Sequence, residues 1–252
     1  AACSKDDTSD TNPEEGSVPE EESPTPPDDT PNPPEDFNAD INQDGTLNIL
    51  LLGPSVSIKS GVDAFSLESV RSELDAILSE DAAISTPVHV AYENTYRAKD
   101  LTVSLGSSNN PFDYTHYAHS LLQYYYWPEG EQARMDLLKG DGERDWDYVI
   151  VAADPYIVSK TPGFFALGVN KITAKVSEGN AKTLLLMVWP KNEQNTTSIS
   201  NFEAFQYRTA EGAREDVEVV PAGLAWDGLS SALQDQQNNH PTANGAYLTA
   251  AA

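Results

Sequence analysis

Ser55 and His240 are the two residues of this 252-residue chain whose types and settings could together do chemistry. Ser55 follows a dense apolar run in "LNILLLGPSVSIKSG", residues 47 to 61. A buried strand that stops at Gly-Pro-Ser is one way to present a nucleophile, and it is also how plain strands end in loops. A serine is a weak nucleophile until a base takes its proton. The chain has four histidines: His89, His116, His119 and His240. His89 lies inside a predicted strand and reads as a packed residue. His240 lies in "NNHPTANGAYLTA", where Pro241 and Gly245 shape a loop leading into the last helix. Acyl transfer through Ser55 with His240 as base is the chemistry this pair would support.

Other residue clusters point less sharply. His116 and His119 stand three apart, as metal ligands sometimes do, but no third ligand is spaced usefully near them, so no metal is expected there. The same stretch, "DYTHYAHSLLQYYYW", carries five Tyr and one Trp. Tyr114, Tyr117 and Trp127 could line a sugar-stacking rim, since such rings join a flat apolar face to a polar handle. Helix packing is the favoured reading of the stretch. In "DINQDGTLN", Asp40, Asn42, Asp44, Gly45 and Asn48 match positions 1, 3, 5, 6 and 9 of a calcium loop. Position 12 falls on Leu51 instead of a carboxylate, and the segment runs into a strand instead of a helix, so a turn entering the first strand is favoured. "GPSVSIKSG" lacks the spacing of a phosphate-binding loop.

The elements that must position Ser55 and His240 follow from hydrophobic periodicity. "LNILLLG" (47–53), "PVHVAYE" (87–93), "DYVIVAA" (147–153), "KTLLLMVWP" (182–190) and "VEVVPAG" (217–223) read as buried strands. "FSLESVRSELDAILSED" (65–81), "EQARMDLLKG", "FFALGVNKITAKVSEG", "GLSSALQDQ" and "ANGAYLTAAA" read as helices, and the aromatic stretch as another. "NEQNTTSISNFEAF" (192–205) is polar and reads as a surface loop. Strands alternating with helices predict an α/β fold, a three-layer α/β/α sandwich with a roughly five-stranded parallel sheet. Functional loops of such sheets lie at the C-terminal strand ends, and Ser55 sits at one of them.

These residues resemble the SGNH or GDSL hydrolases, three-layer α/β esterases and lipases with a flavodoxin-like sheet. The family's nucleophile serine follows the first strand in a Gly-x-Ser block, which "LLLGPSVS" matches at Ser55. Its base stands near the C-terminus in an Asp-x-x-His block followed by Pro and a Gly-bearing helix, which "HPTANGAYLTAA" matches at His240. The resemblance covers residues 47–252 and implies ester hydrolysis, with short acyl groups on polysaccharide or small molecules as substrate and no cofactor. The Ser55 backbone N–H would be one oxyanion donor. Three departures accompany it. Gln237 stands three residues before His240, and the nearest acid is Asp235, so the orienter is Asp235 through a shifted loop, a neutral Gln237, or absent. The third block, Gly-x-Asn-Asp in the family, is Ala152-Ala153-Asp154-Pro155, which sets a carboxylate where an oxyanion donor is expected. Gly106 stands in for the second-block glycine. Ser55 is therefore open to three readings: a working nucleophile, which could also transfer acyl groups to a sugar, a relic in a non-catalytic binding or scaffold domain of this fold, or an unrelated strand end.

The first 46 residues read differently. They hold eight Pro, fourteen Asp or Glu, one Lys and one aromatic, Phe37, too little apolar surface to offset ordering entropy. Residues 1–46 are expected to form a disordered linker and 47–252 the folded domain. "AAC" followed by "SKDD" resembles the processed start of a bacterial lipoprotein with Cys3 as the lipidated residue and the signal peptide upstream. The expected location is then a bacterial membrane, periplasm-facing or at the cell surface, attached through lipid alone. A Pro-rich spacer of that length could hold the domain on the order of 100 Å from the bilayer. The net charge is −25, shared by linker and domain, with no basic patch, which argues against nucleic acid as a partner. A monomer is expected.

Overall fold

The computed structural model describes residues 38–54, 67–97, 118, 120–140, 144–189, 196–225 and 243–252. All belong to one compact unit, Asn38–Ala252. Its centre is a five-stranded sheet of β1 (Leu47–Gly53), β2 (Val88–Asn94), β3 (Tyr148–Val151), β4 (Lys182–Leu186) and β5 (Val217–Val220). The strands run in the order β2-β1-β3-β4-β5 and every pairing is parallel. All seven residues of β1 are buried, as a strand covered on both faces requires.

The helices are α1 (Leu67–Glu80), α2 (Leu121–Tyr126), α3 (Glu131–Lys139), α4 (Pro155–Lys160), α5 (Pro162–Val176), α6 (Thr196–Glu211), α7 (Ala222–Ala225) and α8 (Ala243–Ala251). From β1 the chain steps one way across the sheet to β2, and from β3 it steps the other way to β4 and β5. Right-handed crossovers therefore put α1 on one face and α4 to α6 on the other. Packing agrees: α8 lies on α1, whereas α2, α3, α4 and α6 gather around α5. Helix α5 buries Phe165, Val169, Ile172 and Val176 at helical spacing, and its Gly168 lets α2 approach closely. A Cβ there would sit 2.8 Å from Leu121 Cβ.

Several expectations change. The segment 192–205, read as a surface loop, contains the first ten residues of the sixteen-residue helix α6. Its buried positions, Phe202, Gln206, Thr209 and Ala210, do recur at helical spacing, but two are polar and the pattern is diluted. Gln206 is tolerated there because its amide bonds both the N–H and the C=O of Val188. Strands β3, β4 and β5 are also shorter than read, and the chain after β3 turns into α4, which the sequence reading did not contain. Residues 38–46 belong to the same compact unit as the sheet. Residues 41, 42 and 48 all hang from the carboxylate of Asp147, through N–H donors at 2.6, 3.0 and 2.8 Å. Of the predicted helices, "GLSSALQDQ" and the start of the aromatic stretch lie outside the described residues.

Candidate active site at the C-terminal edge of the sheet

The strand order reverses direction between β1 and β3, and the C-terminal ends of these two neighbours meet there. This is the position at which open parallel sheets hold their ligands. From β1 come Gly53 and Pro54, from β3 come Ala152, Ala153 and Asp154. The two ends are tied, since Ala152 N donates to Leu52 O at 2.9 Å.

Gly53 is needed for its small size. A Cβ on it would crowd Leu67 Cδ1 and sit 3.1 Å from the Ala152 carbonyl oxygen, so glycine lets α1 start close over the strand end. Its carbonyl accepts from Thr95 N at 3.0 Å and from the Tyr92 hydroxyl at 3.2 Å. Pro54 O accepts from Leu67 N at 3.4 Å, so the backbone on either side of segment 55–66 is joined at one point.

Asp154 is 1% exposed. It is the N-cap of α4: Oδ1 accepts from Tyr156 N at 2.7 Å, and Pro155 fills the first helical position. The residue that the sequence places at the oxyanion block thus has a structural task, ending β3 and starting α4. Asn can cap a helix as well as Asp can, and that task is met by either residue type.

Beside the β2 end, a cluster that the sequence reading missed holds the neighbouring loop. Arg97 bonds Glu93 at 2.6 Å and stacks 4.8 Å over the buried Tyr124 ring, while its N–H donates to Ala118 O. The buried Arg134 stacks on the same ring at 5.5 Å and donates to the carbonyls of Tyr124, Trp127 and Glu129. Burial, and then the nearby Glu93 charge, push the Tyr124 hydroxyl far above its usual range. Nothing in the local sequence marks Arg134 as a clamp, because its acceptors are main-chain groups. On the far side, the Gln206 amide fixes the chain just past β4 at Val188, and Gly223 packs against Met187.

Among the sequence-derived site residues, Asp154 and Trp127 are described. Trp127 ends α2, half-buried, with its carbonyl held by Arg134. Ser55, Gly106, Tyr114, Tyr117, Asp235 and His240 lie outside the described residues, as do His116, His119 and Cys3. The described backbone flanking them is informative. Ser55 directly follows Pro54 at the β1 end. Helix α8, which starts three residues after His240, packs on α1 and on α7, the helix that follows β5. His89 is near the start of β2, at the opposite edge of the sheet, stacked on Trp146 with its Nε2 3.0 Å from Arg144. Burial and then the Arg144 charge lower its pKa, and its place rules it out as the base for Ser55. A shallow cavity of about 500 Å³ lined by Tyr207, Glu211, Arg214 and Val217 sits away from the strand ends that carry the site.

No protein-family model matches the sequence, and neither does any curated protein. Solved structures do match the fold. One is a protein from Slackia heliotrinireducens assigned to the SGNH hydrolases, 14% identical, covering 82% of this chain and 96% of that one with a TM-score of 0.52. Another is TesA, 14% identical, covering 81% of this chain and 94% of that one with a TM-score of 0.50. At this identity the likeness is one of architecture. With its five parallel strands in the order β2-β1-β3-β4-β5 and helices on both faces, the chain has the fold of the SGNH hydrolases, in a divergent form.

Proposed function

We propose that the chain is a serine ester hydrolase of the SGNH type, acting on short acyl esters such as acetyl groups on carbohydrate. The observation that carries this reading is the place of Gly53-Pro54. These residues end β1 where it lies beside the end of β3, and Ser55 is next in the sequence. In the proposed step, Ser55 Oγ adds to the ester carbonyl carbon and its proton passes to His240. The tetrahedral intermediate then expels the alcohol, which takes that proton, and water hydrolyses the acyl-serine by the same route. Backbone N–H groups, with Ser55 among them, would hold the oxyanion. Asp235 is the proposed orienter of His240. The test is the initial rate on a small aryl acetate at neutral pH. The wild type is expected to exceed the buffer blank, and Ser55→Ala and His240→Ala to fall to it.

One observation favours a second reading, a non-catalytic binding or scaffold domain. At the oxyanion block the side chain is a carboxylate engaged in capping α4. A wild type no faster than its Ser55→Ala variant would select that reading. The proposed location is a bacterial membrane, through lipid on Cys3. No helix among the described residues is long and apolar enough to cross a membrane. A Cys3→Ser precursor that stays membrane-bound would contradict this anchor.

A further inference from the structure

The loop that leads into β1 has a feature its role as a turn does not use. Asp40 is 3% exposed, and its Oδ1 has no hydrogen-bond partner. A buried carboxylate oxygen left without a partner is costly, and native structures rarely keep one. The other oxygen of the same carboxylate, Oδ2, accepts from Gly45 N at 2.9 Å. The carboxylate is thereby pinned to the inner side of its own loop, and Oδ1 is held there with it.

The surrounding groups are oxygen donors of the kind a hard cation takes. Asn42 Oδ1 accepts from Asp44 N, and Asp44 Oδ1 accepts from Thr46 N, each at 2.9 Å, leaving each oxygen a second lone pair. Gln43 and Gly45 adopt the left-handed region, at φ 60° and 91°, so the loop turns tightly between these residues. The spacing Asp40, Asn42, Asp44, Gly45 is that of calcium-loop positions 1, 3, 5 and 6. We propose that residues 40–48 form a calcium site, with Asp40 Oδ1, Asn42 Oδ1 and the Asp44 carboxylate as its side-chain ligands. Water and main-chain oxygens complete the shell.

Leu51, at the place of the usual twelfth-position carboxylate, is buried in β1 and contributes nothing. Asp147 does not replace it, because its two oxygens already accept from three backbone N–H groups. Among the described residues no group of three His, Cys, Asp or Glu side chains is placed to hold a metal, so this loop offers two carboxylates and an amide. Low ligand charge sets a weak affinity, in the ~10⁻⁴–10⁻³ M range of extracellular modules. The loop is sewn to the start of β3 by Asp147 and by Asn42 Nδ2, which donates to Asp145 O at 2.9 Å. Calcium would therefore brace the N-terminal edge of the sheet, opposite the proposed active site.

The experiment is thermal unfolding and calorimetric titration of the full chain in CaCl2, MgCl2 or EDTA. Wild type is expected to gain several degrees in Tm in millimolar calcium over EDTA, and little in magnesium. Asp40→Asn and Asp44→Asn keep the size of each side chain and are expected to weaken binding about tenfold or more. Asp136→Asn, on the partly exposed face of α3, is the control for diffuse binding to an acidic chain, and it should respond like wild type. Equal Tm in calcium and EDTA, an equal gain with magnesium, or a calcium response unchanged in Asp40→Asn would each overturn the site. Because the readout is stability, the result is independent of whether Ser55 is a nucleophile.

Discussion

Strand β3 is bracketed by two buried carboxylates with different tasks. Asp147, fully buried just before the strand, holds three N–H groups from residues 99 to 106 positions away in sequence. Asp154, three residues after the strand, holds Tyr156 N, two positions away. The first closes a long loop of chain and fastens residues 38–48 to the sheet. The second makes a local cap and turns the chain into α4. A buried acid near a sheet edge is thus weak evidence for chemistry until its partners are known, and both of these accept hydrogen bonds from main-chain N–H groups. The difference lies in what each can lose.

Removing Asp147 is expected to have the largest effect on stability. Asp147→Ala would leave the buried N–H of Asn48 and the part-buried N–H groups of Ile41 and Asn42 without their charged acceptor, at a cost of about 3 kcal/mol. Urea unfolding measures it, and a change under 1 kcal/mol would show that the N-terminal loop is not fastened as described. Asp154 comes next. Asp154→Ala should cost about 1 kcal/mol as a lost cap, whereas Asp154→Asn should cost only a few tenths. If the domain hydrolyses esters, Asp154→Asn should also keep or raise the rate, since it removes a negative charge from the oxyanion block. An active wild type whose Asp154→Asn variant is dead would give Asp154 a direct role in the reaction.

These contrasts also mark what could be read from the chain. The order of elements and the burial of β1 were legible, because a seven-residue apolar run has few other solutions. Helix α6 was not, since Gln206 stands in a core position and is satisfied by Val188 from another element. Helix α4 was hidden inside a motif: Asp154-Pro155 reads as chemistry in one frame and as a cap followed by a first-turn proline in another. The place of residues 38–46 depended on Asp147, about a hundred residues away, and no local pattern carries that information. At the site, Ser55 and His240 were proposed from spacing and setting, and both lie outside the described residues. The Arg97, Tyr124 and Arg134 cluster beside the site was not, because its acceptors are mostly carbonyls.

The smallest expected effect is at His89. Its folded-state pKa lies below the usual 6.5, from burial first and then Arg144. The folded state therefore prefers the neutral ring, and this contribution is present above pH 6.5 and fades as pH falls below it. Replacing His89 with Gln should flatten part of the acid-side loss of stability in that window. An unchanged pH profile would mean the ring contributes nothing to it.

The most direct test of the central proposal is covalent. A fluorophosphonate reacts with a serine that a neighbouring base has activated, so its site of attachment names the nucleophile. On the intact chain at neutral pH, peptide mapping by mass spectrometry is expected to place the label on Ser55, with labelling lost in His240→Ala. No label, or a label elsewhere that survives Ser55→Ala, would contradict the account of Ser55 as the nucleophile at the C-terminal edge of the sheet.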